Sequence, residues 1–338
     1  MRARKQNLAA IGLTLALLLL LAAPRVRAGS LSTDTIGLFP STVGEFAYAD
    51  LRQARQFPWF DQLKEQMLPA RFKQFEQFLA AAGLDPNTQV EEIAWGLVPT
   101  SMAQGNASTG IPSAEQVLGV ALGQFNTDGA QAYFKKQKTP AVTSHGYTLY
   151  SFGQGTGSDD LFLLFIDSNT AAFGQRALLE KMLEVRIGAQ PNLLHNDQVY
   201  SLIQKANGQG IVWAVLNPGY TRLALQQLVP ETAQFPDAAK LMAKIKSLLI
   251  RIQSSNGIEA EFDATCASPD DANQMGNLLT AGFMFMKYQA TSQNNASFAQ
   301  MIDSARINPS GDQLGVSIGL TNEQVVSLIQ NRTFALKM

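Results

Sequence analysis

Two hydrophobic periods take turns along this chain. Glu45 to Asp50 alternates as a strand does and leads into an amphipathic stretch ending near Met67. Phe72, Phe75, Leu79 and Ala82 then recur at helical spacing. Gly83 is placed to end that helix as a C-terminal cap, with Leu84 folding back onto its last turn. Ile93 to Val98 reads as a further strand, and the polar run Thr100 to Ser113, rich in Gly, Ser and Asn, as a loop.

A unit of strand, turn and helix recurs after that loop. Val117 to Phe125 is followed by the turn Asn126-Thr127-Asp128-Gly129 and a helix to about Lys136. Ile258 to Cys266 repeats the pattern, with Ser268 as N-cap, Pro269 in the first helical position, and Asp270 and Asp271 at the positive helix start. Gly311 to Leu320 repeats it again, with Thr321 and Gln324 as a capping box. Looser versions are Leu161 to Gly174 with a helix to Ile187, and Ile211 to Leu216 with a helix from Tyr220 to Leu228.

The hairpin around Asn256-Gly257 has two possible registers. A two-residue loop would set Ile250 and Ile252 opposite Asp263 and Glu261, mixing apolar and acidic groups on one face. A three-residue loop, with Gly257 left-handed, pairs Ile252 with Ala260, Ile250 with Phe262, Leu248 with Ala264, and Arg251 with Glu261. Register follows the buried face, so the longer loop is expected. One face is then apolar and the other charged, the mark of an antiparallel sheet covered on one side. A second hairpin joins Tyr147–Phe152 to Leu161–Ile166 through the glycine-rich residues 153–158. The expected class is α+β: antiparallel sheets with helices packed on one face, in two related halves. The division is a leader over 1–28, one half over 29–195 and the other over 196–338.

Charge enters through the leader. Arg2, Arg4 and Lys5 precede an uncharged run from Leu8 to Ala23, and Val26 and Ala28 put small residues where a signal peptidase reads. Cleavage is expected before Gly29, which places the protein in the periplasm or outside the cell. The alternative is an uncleaved anchor in the inner membrane, kept open by Arg25 and Arg27 although the run is short of the roughly 20 residues a span needs. The chain holds 26 basic and 27 acidic residues, a net charge of −1; without the leader's five cations the balance is 21 against 27, or −6. An acidic surface argues against nucleic acid or anionic lipid as partner. The one cysteine, Cys266, excludes an internal disulfide and a cysteine-based metal site. With 46% apolar residues the chain has material for a core of its own.

Residues that could carry chemistry are few. His145 and His195 are isolated in turns, and no G-x-S-x-G or H-E-x-x-H pattern is present. Gly153 to Gly157 leads into a strand rather than a helix, so it reads as a mobile hairpin connection and not a phosphate loop. The pairs Glu91-Glu92, Asp159-Asp160 and Asp270-Asp271 do not converge and lack calcium-loop spacing. Cys266 reads as a buried structural thiol, and Ala238 to Lys246 as a solvated helix with a core stripe. The positive signals are aromatic: Phe57, Trp59 and Phe60 at a helix start, Trp213 in a strand apolar on both faces, and a cluster from Phe283 to Met286. Such groups line apolar pockets or partner surfaces, and they also fill cores.

The chain resembles bacterial exported proteins of unknown function. The resemblance is carried by Leu84-Asp85-Pro86 through Val90-Glu91-Glu92-Ile93, the strand and helix over Gly119–Phe134, Gly146 to Tyr150, and Ala172-Phe173-Gly174 before a helix. It implies an extracytoplasmic α+β protein built from related halves and carries over no catalytic residue. The leading expectation is a non-catalytic envelope protein that binds an envelope partner or an apolar ligand through its sheet or through Phe57, Trp59, Phe60 and Trp213, without a cofactor or metal. Two other classes compete: a hydrolase in which Asp160, Glu259, Glu261 and Asp263 converge, and an envelope structural or assembly factor.

Overall fold

The computed structural model describes residues 29–68, 70–99, 115–157, 160–219, 221, 240–254, 257–293 and 295–331. The leader, the 100–113 loop and most of the 220–238 segment lie outside these residues. The strands are β1 (Glu45–Asp50), β2 (Val90–Pro99), β3 (Glu115–Gly123), β4 (Ala141–Ser144), β5 (Tyr147–Phe152) and β6 (Leu161–Phe165). They continue as β7 (Thr170–Gln175), β8 (Val212–Leu216), β9 (Ile245–Gln253), β10 (Gly257–Cys266), β11 (Arg306–Ser310) and β12 (Gln313–Thr321). All join one antiparallel sheet in the order β11-β12-β10-β9-β8-β1-β2-β3-β7-β6-β5-β4. The helices are α1 (Thr33–Ile36), α2 (Leu51–Ala54), α3 (Phe60–Met67), α4 (Ala70–Ala81), α5 (Pro86–Gln89) and α6 (Thr127–Lys136). They are followed by α7 (Arg176–Arg186), α8 (Asp197–Ala206), α9 (Pro269–Ser292), α10 (Ala296–Ser304) and α11 (Asn322–Gln330).

The class is α+β, as the pattern implied, but the sheet is continuous rather than divided. Its seam is the antiparallel pair β1–β8, where Tyr48 faces Trp213 and Phe46 faces Val215. Outward from that seam the two sides read alike: β1-β2-β3-β7-β6 on one and β8-β9-β10-β12-β11 on the other. On each side a helix follows the third strand, α6 after β3 and α9 after β10. Another follows the fourth, α7 after β7 and α11 after β12.

Helices cover both faces. On the first face α7 and α8 bury Leu179, Met182, Leu183, Val199 and Ile203 against Phe46, Tyr48, Leu118, Phe162, Leu164 and Trp213. On the second, α4 and α6 cover one end through Phe75, Phe78, Ala130 and Phe134, while α9 covers the other through Ala272 and Met275. The first face of β9 and β10 stays charged, with Arg251 bound to Glu261 at 3.0 Å and Asp263 at 2.5 Å.

Local signals transmit well. The β9–β10 register is the three-residue one, pairing Ile252 with Ala260, Ile250 with Phe262, Leu248 with Ala264 and Arg251 with Glu261. Gly257 has φ +151°, positive but extended rather than left-handed helical, and a Cβ there would meet the Leu320 carbonyl oxygen at 2.0 Å. Gly83 has φ +77°; its N–H reaches the Ala80 carbonyl and the Leu84 N–H the Leu79 carbonyl, each at 3.0 Å, which closes α4 in a Schellman motif. Ser268 and Thr321 cap α9 and α11 as expected. Two segments differ. Leu161 to Gly174 is the hairpin β6–β7, because Asp167-Ser168-Asn169 turns the chain with Asp167 accepting the Asn169 N–H. The segment expected as a helix to Lys246 has already entered β9 at Ile245, where it pairs with Cys266.

Candidate functional site

The aromatics singled out in the sequence do not form one surface. Trp213 is fully buried at the seam, its ring 5.5 Å from Tyr48 and 5.7 Å from Phe46. Trp59 is also buried, packed with Val325 and Ile329 of α11; its indole N–H donates to Asn322 Oδ1 at 2.9 Å. Phe57 stacks on it at 4.9 Å and is half-buried, as is Phe60. Phe57 and Trp59 belong to one core and Trp213 to another, and both tryptophans lie below the surface.

An apolar cavity lies elsewhere, between α4 and the second face of the sheet. Phe72, Phe75 and Leu79 form its roof, one helical stripe held in place by the Gly83 turn that brings Leu84 beneath them. Its floor is Ile93, Ala121, Leu163, Phe165, Ala171 and Phe173. Ala121 and Ala171 are direct cross-strand partners in β3 and β7, so two methyl groups meet where larger side chains would fill the space. Phe173 leans instead over its own partner Gly119, where a Cβ would meet the ring at 2.1 Å; only glycine admits that approach. The cavity measures about 130 Å³.

The rim carries Glu76, Asp85 and Gln89. Lys64 of α3 ties it together, binding Glu76 at 2.8 Å and Asn87 Oδ1 at 2.5 Å, while Arg55 donates to the carbonyls of Pro86 and Val90 at 2.8 and 2.6 Å. The floor offers no polar atom for catalysis. Its capacity is to take an apolar group of about the size of benzene, which an apolar cavity of roughly 150 Å³ is known to accept. Lys64 and Arg55 offset the two acids at the mouth, which leaves no uncompensated cation there to hold an anionic head.

The remaining candidates stay apart. Asp160 is bound by its own loop, accepting from the N–H groups of Gly155 and Gly157 at 2.8 and 3.2 Å. Glu259, Glu261 and Asp263 line the open charged face of β10, distant in the sheet order from that loop. His145 and His195 are exposed or nearly so in turns, bound to Ser144 and Asn192. Cys266 is buried, and burial pushes its thiol upward, aided by Asp271 and Asp312. Asp271 is buried at the start of α9, its carboxyl held below the ordinary range by Lys244 and Ser268. The cluster from Phe283 to Met286 divides. Phe283 and Met286 are half-buried, while Ala281, Met284, Phe285 and Tyr288 form an exposed stripe on α9, the last three 68%, 57% and 74% exposed.

The cavity could not be read from the sequence. Phe72, Phe75 and Leu79 announce a buried helix face, but the floor depends on which strands lie side by side. The small pair Ala121 and Ala171 was its only local sign.

No family model matches the chain, and no curated protein matches it. Among solved structures it is similar to crystal form I of the protein TP0453, at 12% identity with a TM-score of 0.49, covering 91% of this chain and 100% of that one. Crystal form IV of TP0453 matches at 10% identity with a TM-score of 0.46, over 87% of this chain and 95% of that one. No helix among the described residues is long and apolar enough to cross a membrane.

Proposed function

We propose that the protein is an exported, non-catalytic binding module that takes a neutral apolar group into the cavity under α4. The cavity carries the reading: aromatic and aliphatic side chains surround an unfilled space, and its polar groups are confined to the rim. Export is supported by the basic start, the apolar run and the small residues at Val26 and Ala28. The test is calorimetric titration of the exported protein with decanol and with decanoate, whose terminal carbons, about six of them, match the cavity while the rest of the chain runs out past the rim. Saturable binding of one decanol, weaker for decanoate, is expected. No binding of either, or tighter binding of the anion, would end the reading.

A second reading, an envelope assembly factor, is favoured by the α9 stripe of Met284, Phe285 and Tyr288. Photocrosslinking from position 285 in intact cells tests it: one discrete crosslinked partner supports it, and none removes its basis.

A further inference from the structure

At the end of β1 three acidic side chains gather around one cation. Asp50 is fully buried and accepts from the Gln53 N–H at 2.9 Å and from its amide at 2.6 Å, capping α2. Glu92 faces it directly across the β1–β2 ladder, so two like charges are opposed, an unfavourable pairing. Arg52 is the cation, 3.8 Å from Asp50, 3.6 Å from Glu92 and 3.4 Å from Glu91, with a side chain 56% exposed. Tyr48 lies on the same face of β1 as Asp50. It is fully buried, and its hydroxyl stands beside the Glu92 carboxylate without closing a well-formed hydrogen bond; such under-satisfied groups are rare and costly. Burial, more than any other cause, pushes the Glu92 carboxyl upward.

The chain delivers its own backbone to this place. Leu31 is buried in the main core, and Asn207 after α8 grips it twice: the Leu31 N–H donates to Oδ1 at 2.9 Å and its carbonyl accepts from Nδ2 at 2.8 Å. Two residues upstream, Gly29 lies so close that a Cβ would meet the Tyr48 hydroxyl at 2.1 Å and Asp50 Oδ2 at 2.6 Å. A side chain at residue 29 would have to displace one of them.

We infer that Tyr48, Asp50 and Glu92 are the socket for the α-ammonium group of a chain cut before Gly29. The inference rests on the export reading, with cleavage after Val26-Arg27-Ala28. Before cleavage residue 29 offers a neutral peptide N–H, one donor and no charge. Afterwards it offers three donors and a positive charge, one donor for the Tyr48 hydroxyl and the charge for the two opposed carboxylates. Removal of the leader thereby completes the fold locally. The opposed carboxylates favour the charged amine and raise its pKa above the ordinary 7.7–8.0 or so of an α-amino group. The stabilisation is then fully present below that ordinary value and is lost as pH rises through the raised one.

The experiment begins with N-terminal sequencing of the exported protein. A Gly29 start is expected; any other start overturns the socket together with the cleavage site. On the Gly29 protein, the rate of α-amine acylation at pH 7 is compared with that of Glu92→Gln and Asp50→Asn. The native amine should react about tenfold more slowly than that of Glu92→Gln, the equivalent of one pKa unit. Asp50→Asn also removes the α2 cap, so Glu92→Gln decides if that variant fails to fold. Equal rates with a Gly29 start overturn the socket and leave export intact.

Discussion

Trp59→Ala distinguishes an indole that holds the fold from one that greets a partner. The side chain is 3% exposed and packs with Val325 and Ile329 of α11, so its removal leaves a cavity where the start of α3 meets the far side of the sheet. Buried Trp-to-Ala changes cost about 3–5 kcal/mol, combining lost transfer energy and the residual void. The Asn322 oxygen that loses its donor is exposed and returns to water, so it adds little. Trp59→Phe keeps most of the buried area and should cost about 1–2 kcal/mol. Urea unfolding followed by far-ultraviolet circular dichroism reads both values. Decanol affinity, measured beside it under native conditions, should not change, because Trp59 does not border the cavity. A loss below about 1 kcal/mol for Trp59→Ala, or weakened ligand binding at unchanged stability, would refute the structural role.

Other outcomes follow from single features. Gly83→Ala forces a Cβ into a left-handed residue at φ +77° and should cost about 1–2 kcal/mol, read by the same unfolding; a neutral result would mean the Schellman turn is not what closes α4. Asp271, whose carboxyl is held low by Lys244 and Ser268, contributes stability above the ordinary carboxylate value that is lost as pH falls through its own lower one. Asp271→Asn should therefore be less stable than the native protein at pH 7, with the gap starting to close only below about pH 4, as thermal midpoints against pH would show; a gap that does not narrow in acid would contradict the pairing. Ala121→Leu adds three carbons into the space under α4 and should stabilise the empty protein by about 2 kcal/mol, given about 0.8 kcal/mol per buried methylene, whereas destabilisation would mean the floor has no room.

The parts of this fold legible in the sequence are those set by neighbours in the chain. Ile250 and Ile252 could pair with apolar partners in only one hairpin register, so the β9–β10 ladder follows from the pattern. Ser268, Thr321 and Gly83 act on their own helices and were equally readable. The continuity of the sheet was not. It depends on β1 meeting β8, a pairing of segments far apart in the chain that no local periodicity encodes. The same dependence hid the site: Ala121 and Ala171 become a cavity floor only because β3 lies beside β7. Trp213 illustrates the middle case. A strand apolar on both faces announced burial, while its aromatic character suggested a ligand surface. The structure places the ring in the core between Phe46 and Tyr48. Gly29 shows the reverse: its value in the sequence was as a cleavage boundary, and its contact with Tyr48 and Asp50 appears only once Leu31 is anchored by Asn207.

The most direct measurement is native mass spectrometry of the protein purified from the cells that make it, with Ala121→Leu prepared in parallel. The native protein should carry one added neutral mass that organic solvent releases, and the filled variant should carry none. A native protein without added mass that also fails to take up decanol, or equal loading of the variant, would contradict binding in the cavity under α4.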